Sequence, residues 1–218
     1  MPIFMLCACG HTCSCLSCLG YFIFISIHMI SKYCFDLKTP VAHPLADCGV
    51  LNDCNMDESK IWYTNKDNVS KEFLEWIDQL GLILTQPICI FYTPKGGKCD
   101  IHTDGDGNTV DRVCMNWCVQ GSNSLMYWFR LKKKQVIKFK TQLLLEQPYI
   151  AYDRSQVVHL HTQVVKWPSV VQTAIPHEII NGNTEPRWVI SCDLSLKQSP
   201  SDGLTMKQAK KIFKLWMY

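Results

Sequence analysis

The chain has 218 residues, enough for one well-packed domain with a substantial core. A formal net charge of +3, with 19% charged residues, excludes both the strong basic field of a dedicated nucleic-acid binder and the charge excess of a disordered tail. Thirteen cysteines are an odd number and cannot all pair within one chain.

Residues 1–38 read as an apolar, cysteine-rich extension. From Met1 to Ser31 there is no Lys, Arg, Asp or Glu, and "CLGYFIFISIHMI" is strongly apolar. The basic n-region of a secretory signal is missing, and the stretch is shorter than the roughly 20 residues of a membrane span. Three readings stay open. Its C-x-C and C-x-x-C spacings, with His11 or Cys34, suit a metal knuckle. The apolar run suits a membrane anchor, so any membrane contact is expected through residues 1–31 alone. The third reading is a poorly ordered extension, with translation starting at Met29 or Met56 included in it.

The domain proper is expected over residues 39–218. Thr39 to Lys60 reads as extended chain and turns. In "SKEFLEWIDQLGL", Ser70 is an N-cap, Phe73, Leu74, Trp76, Ile77 and Leu80 form an apolar stripe, and Gly81 stops a short amphipathic helix. From residue 87 the text becomes short β-rich runs: "ICIFYT", "RVCMNWCV", "LMYWFRL", "KQVIKFKT", "YIAY", "QVVHLH", "SVVQTAIP" and "RWVISCDL". Cysteines inside these runs, such as Cys89, Cys114 and Cys192, behave as small buried hydrophobes, which points to a reducing, cytoplasmic setting. "TMKQAKKIFKLWMY" returns to helical periodicity, with Met206, Ala209, Ile212, Phe213 and Trp216 on one side. The outline is mainly β, a jelly roll with flanking α-helices. The run Lys132–Lys133–Lys134, with Lys138 and Lys140, is expected at a solvated hairpin end, and nucleic acid is not the expected partner.

Chemistry concentrates at two places. "KCDIHTDGDGN" sets His102 and Asp104 two residues apart at the end of an extended run, so both project to one side. About seventy residues later His177 closes an apolar run before the turn signal "NGNTEP", and Arg187 opens the next strand, ten positions on. Two imidazoles and a carboxylate on one face are the donor set of enzymes that activate oxygen on ferrous iron. If the two runs around "NGNTEP" pair as a hairpin, Arg187 shares the parity of His177 and offers a planar fork for a carboxylate-bearing cosubstrate. His159 and His161 form a further H-x-H whose alternation would put both on one face; a core or exposed position explains them without a second metal.

On "FYTPKGGKCDIHTDG", "RVCMNWCVQG" and "PHEIINGNTEPRWVIS" the sequence resembles the iron(II)- and 2-oxoglutarate-dependent dioxygenases, especially the prolyl-hydroxylase-like and aspartyl-hydroxylase-like branches and viral members. The likeness covers about residues 87–195. It implies a cupin-like double-stranded β-helix, with His102, Asp104 and His177 holding Fe(II) and Arg187 binding the distal carboxylate of 2-oxoglutarate. It also implies that Tyr92, and more weakly Ser191, hydrogen-bond the cosubstrate, and that Asn116 and Trp117 face the pocket. The reaction implied consumes O2 and 2-oxoglutarate, releases succinate and CO2, and hydroxylates a peptide side chain or a small metabolite. A viral member would work in the host-cell cytoplasm. Two rivals stand beside this reading. One is a non-catalytic cupin-like metal-binding or structural protein, in which Arg187 makes a salt bridge; the other is a membrane-associated interaction protein built on the N-terminal run.

Overall fold

A computed structural model describes residues 30–47, 56–64, 66–104, 111–133, 139–141 and 148–218. The expectations for residues 1–29, and for Lys134 and Lys138, fall outside the described residues. Within them lie thirteen strands: β1 (Cys34–Asp36), β2 (Lys60–Tyr63), β3 (Leu82–Leu84), β4 (Cys89–Thr93), β5 (Ile101–Asp104), β6 (Val113–Gln120), β7 (Leu125–Leu131), β8 (Phe139–Thr141), β9 (Pro148–Tyr152), β10 (Val157–Val164), β11 (Ser169–Gln172), β12 (His177–Ile180) and β13 (Arg187–Leu196). Two helices accompany them, α1 (Lys71–Gln79) and α2 (Met206–Ile212).

The strands make two antiparallel sheets. The larger runs β1-β11-β6-β13-β4-β2, with β3 added against β13; the smaller runs β10-β7-β12-β5-β9-β8. Chain order alternates between them: β4 and β6 lie in the larger sheet with β5 and β7 in the smaller, then β10 and β12 in the smaller with β11 and β13 in the larger. Period-2 alternation gives each sheet two faces. On the larger sheet, Ile90, Tyr92, Trp117, Trp188, Ile190 and Cys192 face one way and join the core under the helices. Cys34, Cys114 and Val171 face the other way and pack with Met126, Trp128 and Ile179 of the smaller sheet. The two sheets are therefore stacked face to face.

Both helices form where the sequence predicts them, although Leu74 of the α1 stripe is exposed. Ser70 Oγ accepts from Phe73 N at 3.3 Å, Phe73, Trp76 and Ile77 are buried, and Gly81 leaves the helix at φ 74°. At α2, Thr205 and Gln208 form a reciprocal capping box, while Met206, Ala209 and Phe213 turn inward. Trp76 meets Phe213 and Trp216 at ring-centroid distances of 5.9 and 5.7 Å, which locks the helices together over the larger sheet. Truncating a fully buried aromatic such as Phe73 to Ala would cost about 3–5 kcal/mol.

Three expectations change. The boundary at residue 38 cuts through the fold, because β1 pairs with β11 and buries Cys34 and Phe35. The hairpin across "NGNTEP" does not form: β12 lies in the smaller sheet and β13 in the larger. Asn181 holds this crossover. Fully buried, it donates from Nδ2 to the carbonyls of Thr93, Pro94 and Glu185 at 3.2, 3.0 and 3.0 Å and accepts from Asn183 N at 3.1 Å. Finally, a register shift between His159 and His161 breaks the alternation. His159 turns to Tyr127 and Phe129, and His161 to Tyr33 and Trp128, so the two imidazoles cannot share an ion.

Candidate metal centre

β5 reads buried–half-buried–buried–half-buried because Ile101 and Thr103 face one side and His102 and Asp104 the other. His177, the first residue of β12, is the direct cross-strand partner of His102, so the two rings meet at a centroid distance of 4.4 Å. His102 Nε2 lies 3.4 Å from Asp104 Oδ1. One donor atom from each of His102, Asp104 and His177 lies within 4.8 Å of the others, a group that can hold a metal ion. His177 is buried and the Asp104 carboxylate is the most open of the three. The H-x-D and the distant histidine thus converge as expected, through direct pairing of β12 with β5.

Backbone carbonyls orient both rings. His102 Nδ1 lies 2.7 Å from Asp100 O, and His177 Nδ1 lies 3.0 Å from Ile175 O. A carbonyl only accepts, so each neutral ring carries its hydrogen on Nδ1 and keeps its lone pair on Nε2, toward the centre. Burial alone would raise the Asp104 carboxyl, but the His102 hydrogen bond and the neighbouring His177 and Arg112 bring it down to about 2. Burial, reinforced by His102, pushes His177 down to about 4, so it stays a neutral donor. For His102, burial is outweighed by the hydrogen bond and charge of Asp104, and its affinity for a proton rises. A second proton, taken up at His102 Nε2, would face Asp104 Oδ1 at the centre of the group.

Arg187 opens β13 on the face that looks toward the smaller sheet, in register with Thr93 and with the parity of Val189, Ser191 and Asp193. It is 3% exposed, its Nε has no hydrogen-bond partner, and no acidic side chain pairs with it among the described residues. Burial lowers its pKa, opposed by the thiols of Cys118 and Cys99 close by. Gly121, at φ +73°, allows this packing: a Cβ there would fall 2.8 Å from Arg187 Cα.

Tyr92 does not join the site. It shares the parity of Ile88 and Ile90, lies at a ring-centroid distance of 4.8 Å from Trp188 in the core under the helices, and donates its hydroxyl to Met56 O at 3.0 Å. Thr93, one residue on, is the β4 residue beside Arg187. Trp117 likewise faces Phe73, at 5.6 Å, because alternation cannot turn both it and Asn116 inward. Asn116 and Ser191 are direct cross-strand partners on the inner face, and Asn116 Oδ1 is buried with no partner.

The sequence reading missed an ion pair at the other end of this face. Arg112 donates to Asp193 Oδ2, and Cys114 Sγ donates to Asp193 Oδ1 at 2.9 Å. Asp193 has the parity of Arg187 and Ser191, and that parity was the available signal.

No family model and no curated protein matches the chain. Among solved structures it is similar to Cellulomonas parahominis L-ribose isomerase, described in X-ray structures with L-psicose. The identity is 12% and the TM-score 0.30, over 72% of this chain and 73% of that one. A likeness so distant bears on neither fold nor activity. No helix among the described residues is long and apolar enough to cross a membrane.

Proposed function

We propose that the protein is an Fe(II)- and 2-oxoglutarate-dependent dioxygenase on a double-stranded β-helix, hydroxylating a peptide side chain or small metabolite with release of succinate and CO2. The observation that carries this reading is Arg187, a buried cation that pairs with no carboxylate among the described residues and lies in the same interior as a His-Asp-His group. An unpaired buried charge is costly, so its persistence points to an anion that arrives from outside. Strand alternation between the two sheets supports the fold, and two imidazoles with one carboxylate fit ferrous iron.

Iron bound there supplies oxygen activation and the redox chemistry of oxidative decarboxylation. The chain supplies placement. His102 and His177 would present Nε2, and Asp104 an ionised oxygen, to hold that iron. Arg187 anchors the distal carboxylate of 2-oxoglutarate through parallel hydrogen bonds. Cys99, whose charge interaction reaches Arg187, bonds through its N–H to Ile179 O at 3.0 Å. Ile179 is two residues from His177, about 7 Å along the strand, the reach of a five-carbon diacid. Ser191 and Asn116, further along the same face, are offered as polar contacts to bound acid. The non-catalytic alternative requires a salt bridge at Arg187, and among the described residues it has none.

Anaerobic reconstitution with Fe(II), followed by oxygen exposure and a succinate assay with 2-oxoglutarate alone, tests the reading. Uncoupled succinate formation is expected in the intact protein, abolished in His102→Ala and reduced in Arg187→Ala. Failure of the intact chain to take up iron sinks it.

A further inference from the structure

One face of the domain concentrates positive charge that the reaction above does not use. Residues 205–218 hold four lysines and no acidic residue, although the whole chain has a formal charge of only +3. This segment runs beside the chain leading into β1: Lys210 Nζ donates to Ser31 O at 2.9 Å, Lys38 N donates to Trp216 O at 2.7 Å, and Leu37 pairs with Met217. Lys32 and Lys38, both exposed, therefore belong to the same surface. Lys166 joins it through Trp167, whose ring lies 6.2 Å from that of Tyr218. The one carboxylate in residues 30–38, Asp36, is 7% exposed and faces inward.

A solvated basic face would be polar throughout, and this one is not. Leu215 is 91% exposed and Ile30 is 57% exposed. Lys32 lies over the Tyr33 ring, Lys38 over Tyr218 and Lys166 over Trp167, at 4.9, 4.9 and 5.2 Å. Lysine ammonium groups seated over aromatic rings, with bare aliphatic tips between them, suit a boundary between water and lipid. Ile30 is also where the charge-free stretch of residues 1–31 meets the domain.

We propose that this face docks on an anionic bilayer surface, the lysines meeting headgroups while Leu215 and Ile30 enter the interfacial layer. A polyanion such as RNA would satisfy the lysines but leave the aliphatic tips in water, and this decides for lipid. The proposal does not rest on the dioxygenase reading.

Cosedimentation of the full chain with phosphatidylcholine vesicles, with or without about one-third phosphatidylserine, tests it. Binding is expected only with the anionic lipid and is expected to weaken in salt. It should fall more than about tenfold in K32Q/K38Q/K166Q/K214Q and several-fold in Leu215→Ser. All five side chains face solvent, so the thermal melts should match the parent protein. Equal binding to neutral vesicles, or binding unchanged in both variants, assigns the affinity to residues 1–31 and overturns the proposal. So does an absence of vesicle binding, or displacement from vesicles by a single-stranded RNA oligonucleotide in preference to lipid.

Discussion

Replacing Arg187 with methionine separates a residue that supports the fold from one that waits for a ligand. Arg187 is 3% exposed, with its Nε unpartnered. A buried donor without a partner costs about 1–3 kcal/mol, and exchanging buried ionic groups for apolar ones of similar volume is neutral to stabilising by about 1–4 kcal/mol. Methionine keeps much of the stem and adapts to irregular space. The ligand-free Arg187→Met protein should therefore gain about 1–3 kcal/mol. For a chain of this size each kcal/mol moves Tm by about 2–4 °C, so the melt should rise by about 2–12 °C. Adding 2-oxoglutarate should close or reverse the gap. At a hundredfold excess over Kd it stabilises the parent protein by about 2.7 kcal/mol and leaves the variant unmoved. Differential scanning calorimetry across a 2-oxoglutarate titration, with Mn(II) in place of oxygen-sensitive iron, reads both effects. A ligand-free variant melting several degrees lower would show that Arg187 has an interior partner and refute the reasoning; an equal response to ligand would remove it from the cosubstrate site.

Three further outcomes follow from named contacts. Gly121→Ala places a Cβ 2.8 Å from Arg187 Cα at φ +73°; it should cost about 1–3 kcal/mol and shrink the thermal shift with 2-oxoglutarate, measured in the same titration. Asn181→Leu leaves three carbonyls, one buried and two part-buried, without their donor and should cost about 2–4 kcal/mol in urea unfolding, so a loss under about 1 kcal/mol would contradict its role at the crossover. Burial, followed by the charge of Asp193, pushes the Cys89 thiol up to about 12. It stays protonated until the pH approaches that value, so peptide mapping after iodoacetamide treatment at pH 8 should find Cys89 nearly unlabelled in the native protein and labelled after unfolding.

How much of this could be read from the sequence depends on the range of the signal. Ser70, Gly81 and the Phe73–Trp76–Ile77 stripe are local, and α1 follows them. The H-x-D is also local, because alternation alone puts His102 and Asp104 on one face of β5. "NGNTEP" announces a reversal but not the sheet to which the next strand belongs. That choice is made by Asn181 reaching Thr93 and Pro94, more than eighty residues away in sequence. Tyr92 misled because the resemblance matches positions along the chain, whereas the face a residue occupies is set by register, here with Trp188. The shift between His159 and His161 leaves no mark in composition. β1 and β3 have three residues each, too few to show a period.

The charges of the interior make a last prediction about order of binding. Near the candidate centre Asp104 contributes one negative charge, Arg187 one positive, and Arg112 and Asp193 cancel as a pair, while the buried Asp36 lies farther along the inner face beside Ser169. A divalent cation among His102, Asp104 and His177 therefore leaves the space between it and Arg187 with an excess of positive charge. A low-dielectric interior resists such an excess. A dicarboxylate removes it, because one carboxylate reaches Arg187 while the other end approaches the cation. Metal and diacid should accordingly bind cooperatively, with a coupling of about 1–3 kcal/mol, or roughly 5- to 150-fold in metal affinity. Isothermal titration with Mn(II), in the absence of acid and with saturating 2-oxoglutarate or a monocarboxylate of similar length, measures it. The diacid should tighten the metal most and the monocarboxylate less, with the difference between them vanishing in Arg187→Met. If the two acids act alike in the parent protein, the guanidinium and the metal do not share one ligand, and the central assignment falls with that result.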